Sequence, residues 1–104
     1  MANPLQPKVI EVLEKEYNAF VVNITSASKA GVSDLLACHQ GLFYSFEIKW
    51  KNDQPSELQK DKINKVILAG GKAYFVRSVQ DIHAILRDGL KPVTYRLKNH
   101  FELW

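Results

Sequence analysis

Nine residues in the middle of the chain alternate strictly between two sets of side chains. The first set is Leu42, Tyr44, Phe46, Ile48 and Trp50, and the second is Phe43, Ser45, Glu47 and Lys49. Because successive strand residues point to opposite faces of a sheet, this period of two predicts a β-strand with the first set toward the core. Glu47 and Lys49 would then share the other face, about 7 Å apart along the strand.

Weaker signals on both sides of this strand predict the remaining elements. They are a helix over 8–17, strands over 19–24 and 34–38, a turn at Gln40-Gly41, a helix that Ser56 opens and Gly70-Gly71 ends, a strand over 73–77, and a helix capped by Ser78 that runs to Leu86. The order is helix, three strands, helix, strand, helix. It predicts a mixed α/β or α+β domain around one small sheet.

Bulk properties narrow the class of protein only slightly. A length of 104 residues fits one domain, 1–104, and a formal charge of +3 is too small to indicate a polyanion partner by itself. The single cysteine, Cys38, excludes an internal disulfide and fits a reducing cytoplasm. No segment approaches the roughly 20 apolar residues of a membrane helix, so we expect no membrane partner and a cytoplasmic location.

An acidic residue at the start of the predicted second strand adds a chemical prediction. If the second and third strands pair antiparallel through Gln40-Gly41, Asp34 lies beside Glu47. Two converging carboxylates can bind Mg²⁺ or Mn²⁺, with the backbone carbonyl of Ile48 as a third ligand. The cation would polarise a phosphate and lower the pKa of a bound water, and Lys49 could orient or deprotonate that water. This is the layout of a metal-dependent nuclease.

Simpler interpretations of the same residues remain open. Glu47 and Lys49 could belong to a solvated strand face, and Asp34 could be only a turn residue; their conjunction favours the site. Gln59 stands three residues after Ser56, which is the spacing of a helix capping box. It is also in phase with the apolar stripe that includes Ile63, so it could reach the site, and both roles can hold together.

Four segments together resemble the VRR-NUC family of the PD-(D/E)XK nuclease superfamily. They are Gly31-Val32-Ser33-Asp34-Leu35-Leu36, Phe46-Glu47-Ile48-Lys49, Ser56-Glu57-Leu58-Gln59, and residues 69–78 from Ala69-Gly70-Gly71 to Val76-Arg77-Ser78. The resemblance covers about residues 8–82 and implies a restriction-endonuclease-like core, a central mixed sheet flanked by helices. By position it implies that Asp34 and Glu47 hold the metal, Lys49 serves the nucleophile and Gln59 assists. Small stand-alone members of this kind are typical of phages and bacteria.

The sequence departs from the family pattern at two places. Ser33 stands where the family usually has proline before the aspartate, which affects the turn rather than the chemistry. Relatives often offer a glutamate from the first helix near the metal, and here Gln6 occupies roughly that region. Glu11 and Glu14 come later and are the preferred candidates for this role, and Glu14, beside Ile10 and Tyr17 on the helical wheel, could point inward.

Polar and basic residues near the predicted site are candidates for contacting nucleic acid. They are Ser26, Ser28 and Lys29 in the loop before Asp34, and Lys51, Lys60 and Lys62 after the third strand. Ordinary loop composition is the alternative explanation for the first three. Nothing in the chain resembles a base-reading module, so we expect recognition of DNA structure rather than sequence.

These observations predict a divalent-metal-dependent DNA endonuclease acting on branched, flap or junction DNA. The alternative is a catalytically inactive nucleic-acid-binding module on the same scaffold, and RNA is not excluded as a substrate. A small protomer contacts little duplex, so we expect a homodimer. The apolar tail with Phe101, Leu103 and Trp104 is the candidate interface, unless it packs on its own sheet.

Overall fold

The computed structural model describes residues 3–24 and 34–98, and within them it has the predicted order of elements. These are α1 (Leu5–Glu16), β1 (Phe20–Asn23), β2 (Leu35–His39), β3 (Leu42–Ile48), α2 (Glu57–Leu68), β4 (Lys72–Val76) and α3 (Val79–Leu86). The element types are therefore confirmed, and their ends differ from the prediction by at most about three residues.

The first helix begins three residues earlier than predicted, upstream of Pro7. Pro7 falls in the first turn, where a backbone N–H has no partner within the helix, so proline does not interrupt it. The Asn3 side chain supplies one of the missing partners, because its Oδ1 accepts from the backbone N of Leu5 at 2.9 Å. A proline near a helix start therefore marks its first turn rather than a boundary.

The four strands form one mixed sheet in the order β1-β2-β3-β4. The pairs β1–β2 and β2–β3 are antiparallel, and β3–β4 is parallel, with α2 in the crossover between them. Gln40 and Gly41 join β2 to β3 with φ values of 52° and 78°. Positive φ at both positions is typical of the tight turn that matches the twist of a hairpin, so the predicted turn is confirmed.

One face of the sheet carries the apolar core against α1 and α3. Phe46 is fully buried there, with its ring stacked between Tyr44, at a centroid distance of 5.7 Å, and Tyr74, at 6.2 Å. Val9 of α1 and Ile82 of α3 are also fully buried. The predicted inward face of β3 is therefore correct for its central residues.

The two ends of β3 are an exception to that pattern. Leu42 and Trp50 were predicted in the core, but their exposed fractions are 45% and 38%. Leu42 borders the hairpin turn, and Trp50 lies beyond the last strand residue, Ile48. The alternation of residue types continues past the point where the backbone leaves the sheet.

The opposite face is buried as well, from Ser45 onward. Ser45, Glu47 and Lys49 are all 5% exposed or less, because α2 lies over this side of β3 and β4. A solvated strand face is therefore excluded as the explanation for Glu47 and Lys49. Charged side chains are almost never fully buried unless they are paired, so these two residues require partners inside the protein.

The segment after α3 returns across α2 and β4. The side chain of Asn64 exchanges two hydrogen bonds with the backbone of Tyr95, at 2.8 and 2.7 Å, and the Tyr95 ring contacts Phe75 edge-on. This part of the tail thus packs on its own domain. Phe101, Leu103 and Trp104 lie outside the described residues. In the described part of the chain, none of the helices has the length and apolar character needed to span a membrane.

Candidate metal and nucleic-acid site

Asp34 lies where β1, β2 and β3 meet at one rim of the sheet. It immediately precedes Leu35, which pairs with Phe46. Its Oδ2 accepts from the backbone N of Ile48 at 2.9 Å, and its carbonyl accepts from Ile24 N at 2.8 Å. Asp34 is therefore more than a turn residue, because its side chain continues the hydrogen bonding of β3.

Glu47 is a buried carboxyl group that lies beside the side chains of Gln59 and Asp34. Gln59 Nε2 donates to Glu47 Oε2 at 3.0 Å, while Oε1 is buried and has no hydrogen-bond partner within residues 3–24 and 34–98. Burial, followed by the nearby Asp34 carboxylate, raises the pKa of Glu47 to about 8, against an opposing effect of Lys49. A cation at this point would offset both effects.

Lys49 is also buried, with an exposed fraction of 4%. Its Nζ lies 3.5 Å from Oδ2 of Asp53, and its backbone N donates to Val76 O at 2.8 Å. Asp53 is not among the site residues predicted from the sequence. Its contact with Lys49 depends on the turn after β3, in which Lys51 has a φ of 56°, and no sequence pattern indicated that conformation.

Gln59 caps α2 and also reaches Glu47. Its Oε1 accepts from Ser56 N at 3.0 Å, and its own N donates to Ser56 Oγ at 3.1 Å, which completes the capping box of α2. The side-chain nitrogen remains free to donate to Glu47. The start of α2 and the buried carboxyl group are thus connected through one amide.

The first helix approaches this rim with its N-terminus rather than with its glutamates. Asn3 Nδ2 donates to the carbonyl of Ile48 at 3.4 Å, and Gln6 Nε2 donates to Asn23 Oδ1 at 2.8 Å. Glu11 and Glu14 are exposed, and Glu11 pairs with Lys15. The suggestion that Glu14 points inward is wrong, because the buried stripe of α1 consists of Leu5, Val9 and Leu13. Asn3, absent from the predicted site, had no sequence signal beyond its place before the helix.

The predicted nucleic-acid contacts lie in different environments. Ser26, Ser28 and Lys29 lie outside the described residues. Lys51 is exposed, with its Nζ 5.6 Å from the centre of the Trp50 ring. Lys60 is paired with Glu57 at 3.2 Å. Lys62 is partly buried and also has an interaction partner. Of the three lysines after β3, Lys51 is therefore the most accessible.

The donor set at the rim fits a hard divalent cation. It consists of the Asp34 and Glu47 carboxyl groups and the Ile48 carbonyl, all oxygen atoms, and the open Oε1 of Glu47 leaves one of them without a partner. In the described part of the chain, no three acidic, histidine or cysteine side chains cluster as metal ligands. A cation here would thus depend on two carboxylates, a backbone oxygen and water.

Comparison with known proteins supports the fold. A solved structure described as "VRR_NUC domain" superposes with a TM-score of 0.67 and 17% sequence identity, covering 81% of this chain and 92% of that chain. No protein-family profile matches the sequence, and neither does any curated protein. The fold implied by the sequence motifs, a mixed sheet flanked by helices as in a VRR-NUC domain, is therefore confirmed.

Proposed function

We propose that this protein is a divalent-metal-dependent endonuclease of the VRR-NUC type that hydrolyses phosphodiester bonds in DNA. The observation that carries the proposal is the buried pair Glu47 and Lys49 beside the partly buried Asp34, in which Glu47 Oε1 has no hydrogen-bond partner among the described residues. Placing a buried carboxyl group beside a second carboxyl group is costly unless a cation shares the site. The likeness in fold to a VRR_NUC domain supports the same activity.

Each residue of the group has a distinct task in this proposal. Asp34 and Glu47, with the Ile48 carbonyl, hold Mg²⁺ or Mn²⁺, which when bound supplies Lewis acidity toward phosphate and water. Lys49 orients the attacking water, or takes a proton from it, and balances negative charge on the phosphate in the transition state. Gln59 keeps Glu47 in position through the hydrogen bond to its Oε2.

A direct test is the nicking of plasmid and junction DNA in Mg²⁺ or Mn²⁺ by the wild type and by Lys49→Ala. The wild type should cleave and Lys49→Ala should not. Lys15→Ala is the matched control, because Lys15 is an exposed lysine of α1 that pairs only with Glu11 in the described structure. If the wild type cleaves neither substrate with either metal, the enzyme proposal fails and the alternative of an inactive nucleic-acid-binding module takes its place.

We further propose that the preferred substrate is branched, flap or junction DNA, recognised by its structure. The exposed Lys51, together with Lys60, Lys62, Lys29, Ser26 and Ser28, would contact phosphates without reading sequence, which makes binding sensitive to salt. Matched DNA and RNA hairpins test whether RNA is also a substrate. The single Cys38 and a DNA substrate favour the cytoplasm of a bacterial or phage-infected cell.

A homodimer is also part of the proposal. Phe20, Val22 and Phe43 are 39% to 72% exposed and line one shallow groove beside β1, which is an edge strand of the sheet. An exposed apolar edge of this kind favours association with a second copy. Sedimentation equilibrium should give a dimer for the wild type and a monomer for Phe20→Glu. A monomeric wild type would contradict this part of the proposal.

A further inference from the structure

Trp50 is a large aromatic residue that the fold leaves partly exposed just after β3, the strand that carries Glu47. It directly follows the buried Lys49, and its exposed fraction is 38%. Its carbonyl accepts from Asp53 N at 3.1 Å, and Asp53 also contacts Lys49 Nζ at 3.5 Å. The turn that carries the indole is therefore anchored on the same lysine that serves the site.

One lysine contacts this indole, and an arginine contacts the backbone of that lysine. Lys51 Nζ lies 5.6 Å from the centre of the Trp50 ring, and the carbonyl of Lys51 accepts from Arg77 Nη1 at 3.2 Å. Lys51 and Arg77 are both exposed. Lys51 also has a φ of 56°, an uncommon conformation for a residue other than glycine, and such conformations concentrate at functional sites.

The combination of an exposed ring and flanking cations matches the chemistry of single-stranded nucleic acid. Proteins that bind single strands stack bases on aromatic side chains and track the backbone with basic residues. The surface contact between a lysine and an aromatic ring is weak, so a stacked base can displace Lys51 toward a phosphate. A base within a duplex has no free face to offer, whereas an unpaired base has one.

We propose that Trp50 stacks an unpaired nucleobase next to the phosphate held at Asp34 and Glu47, while Lys51 and Arg77 contact the flanking phosphates. The inference rests on the proposed nuclease function and deepens it. Trp50 would be a specificity-determining residue that favours forks, flaps and junctions, where unpaired bases lie beside a duplex. Recognition by stacking on Trp50 needs no base-reading module, because every base has a flat face to stack.

Tryptophan fluorescence tests the stacking without any cleavage. In a Trp104→Phe background Trp50 is the one remaining tryptophan, because the chain has two. In EDTA, a single-stranded oligonucleotide and a forked duplex should quench its emission, and a blunt duplex should not. Trp50→Ala should weaken binding of the fork by about tenfold or more and leave blunt-duplex binding unchanged, with Trp50→Phe in between. Leu68→Ala, an exposed apolar residue of α2, should change neither.

Two results would overturn the inference. One is that neither single-stranded DNA nor single-stranded RNA alters the emission of Trp50. The other is a Trp50→Ala variant that loses affinity for fork and blunt duplex equally. Quenching by DNA alone, or by RNA as well, identifies the source of the unpaired base. Because the metal-free titration does not depend on hydrolysis, quenching without cleavage in Mn²⁺ would refute the nuclease and leave the stacking intact.

Discussion

The side-chain nitrogen of Gln59 donates to Oε2 of Glu47 at 3.0 Å, across the interface between α2 and β3. The same side chain closes the capping box of α2 through its oxygen, which accepts from Ser56. One residue therefore fixes both the start of the helix and the orientation of a buried carboxyl group. Removing Gln59 and removing its capping partner should have separable effects.

Comparing Gln59→Ala with Ser56→Ala separates those two roles. Both variants lose half of the capping box, so each should lower the free energy of unfolding by about 1 kcal/mol. Only Gln59→Ala leaves Glu47 without its donor, and it should reduce the cleavage rate by about 10- to 100-fold, as for other partners that orient metal ligands. Chemical denaturation and a nicking assay measure the two effects. Equal cleavage rates in the two variants would show that Gln59 is only a cap.

The chemical role and the structural role of Asp34 should be separable by substitution. Asp34→Asn keeps an oxygen that can accept from Ile48 N, so its melting temperature should stay close to that of the wild type, while cleavage falls by more than about 100-fold. Asp34→Ala removes the acceptor and should cost a further 1–3 kcal/mol or so of stability. Thermal unfolding of both variants measures these changes in stability. A large loss of stability in Asp34→Asn would make Asp34 a structural residue.

The raised pKa of Glu47 gives the metal-free protein a characteristic pH dependence. The folded pKa is about 8 against an ordinary 4.5, so between these values the folded state holds a proton that the unfolded state has lost. Stability from this group is complete below pH 4.5 and is lost as the pH rises toward 8 and above. Glu47→Gln cannot ionise, so its melting temperature relative to the wild type should increase from pH 6 to pH 9.

Manganese should reverse this trend in the wild type. Binding of the cation requires the ionised carboxylate, so Mn²⁺ should raise the melting temperature of the wild type more at pH 8 than at pH 6. Glu47→Gln should show little response to Mn²⁺ at either pH. Without metal, a difference in melting temperature between the wild type and Glu47→Gln that does not change with pH would mean that Glu47 ionises normally.

Phe46 tests the assignment of the two faces of β3. Its ring is fully buried between Tyr44 and Tyr74, so Phe46→Ala should lower the free energy of unfolding by about 3–5 kcal/mol. Phe43→Ala is the matched control, because Phe43 lies on the same strand with 48% of its surface exposed, and should cost much less. Urea denaturation measures the free energy of unfolding of both variants. Similar losses for both residues would contradict the assigned faces.

Local signals in the sequence were sufficient for most of the fold. The alternation in β3, the Gln40-Gly41 turn and the serine caps at Ser56 and Ser78 are each determined by a few adjacent residues, and all four appear in the structure. The juxtaposition of Asp34 with Glu47 also followed from one hairpin. Its prediction required only the direction of pairing between two neighbouring strands.

Features that depend on distant contacts could not be predicted. Burial of Lys49 requires α2 to cover the sheet, and its contact with Asp53 requires the positive φ of Lys51. The bond from Asn3 to the Ile48 carbonyl joins residues 45 positions apart. The exposure of Trp50 reflects the point at which the backbone leaves the sheet, which the alternation of residue types does not mark.

The central claim is that Asp34 and Glu47 share one divalent cation. Crystals soaked in Mn²⁺ and measured at the manganese absorption edge test it most directly. The account predicts one anomalous peak within coordination distance of a carboxylate oxygen of each residue, and no peak there in Glu47→Gln crystals. Wild-type crystals with no ion between these side chains, or with Lys49 occupying the space, would contradict it.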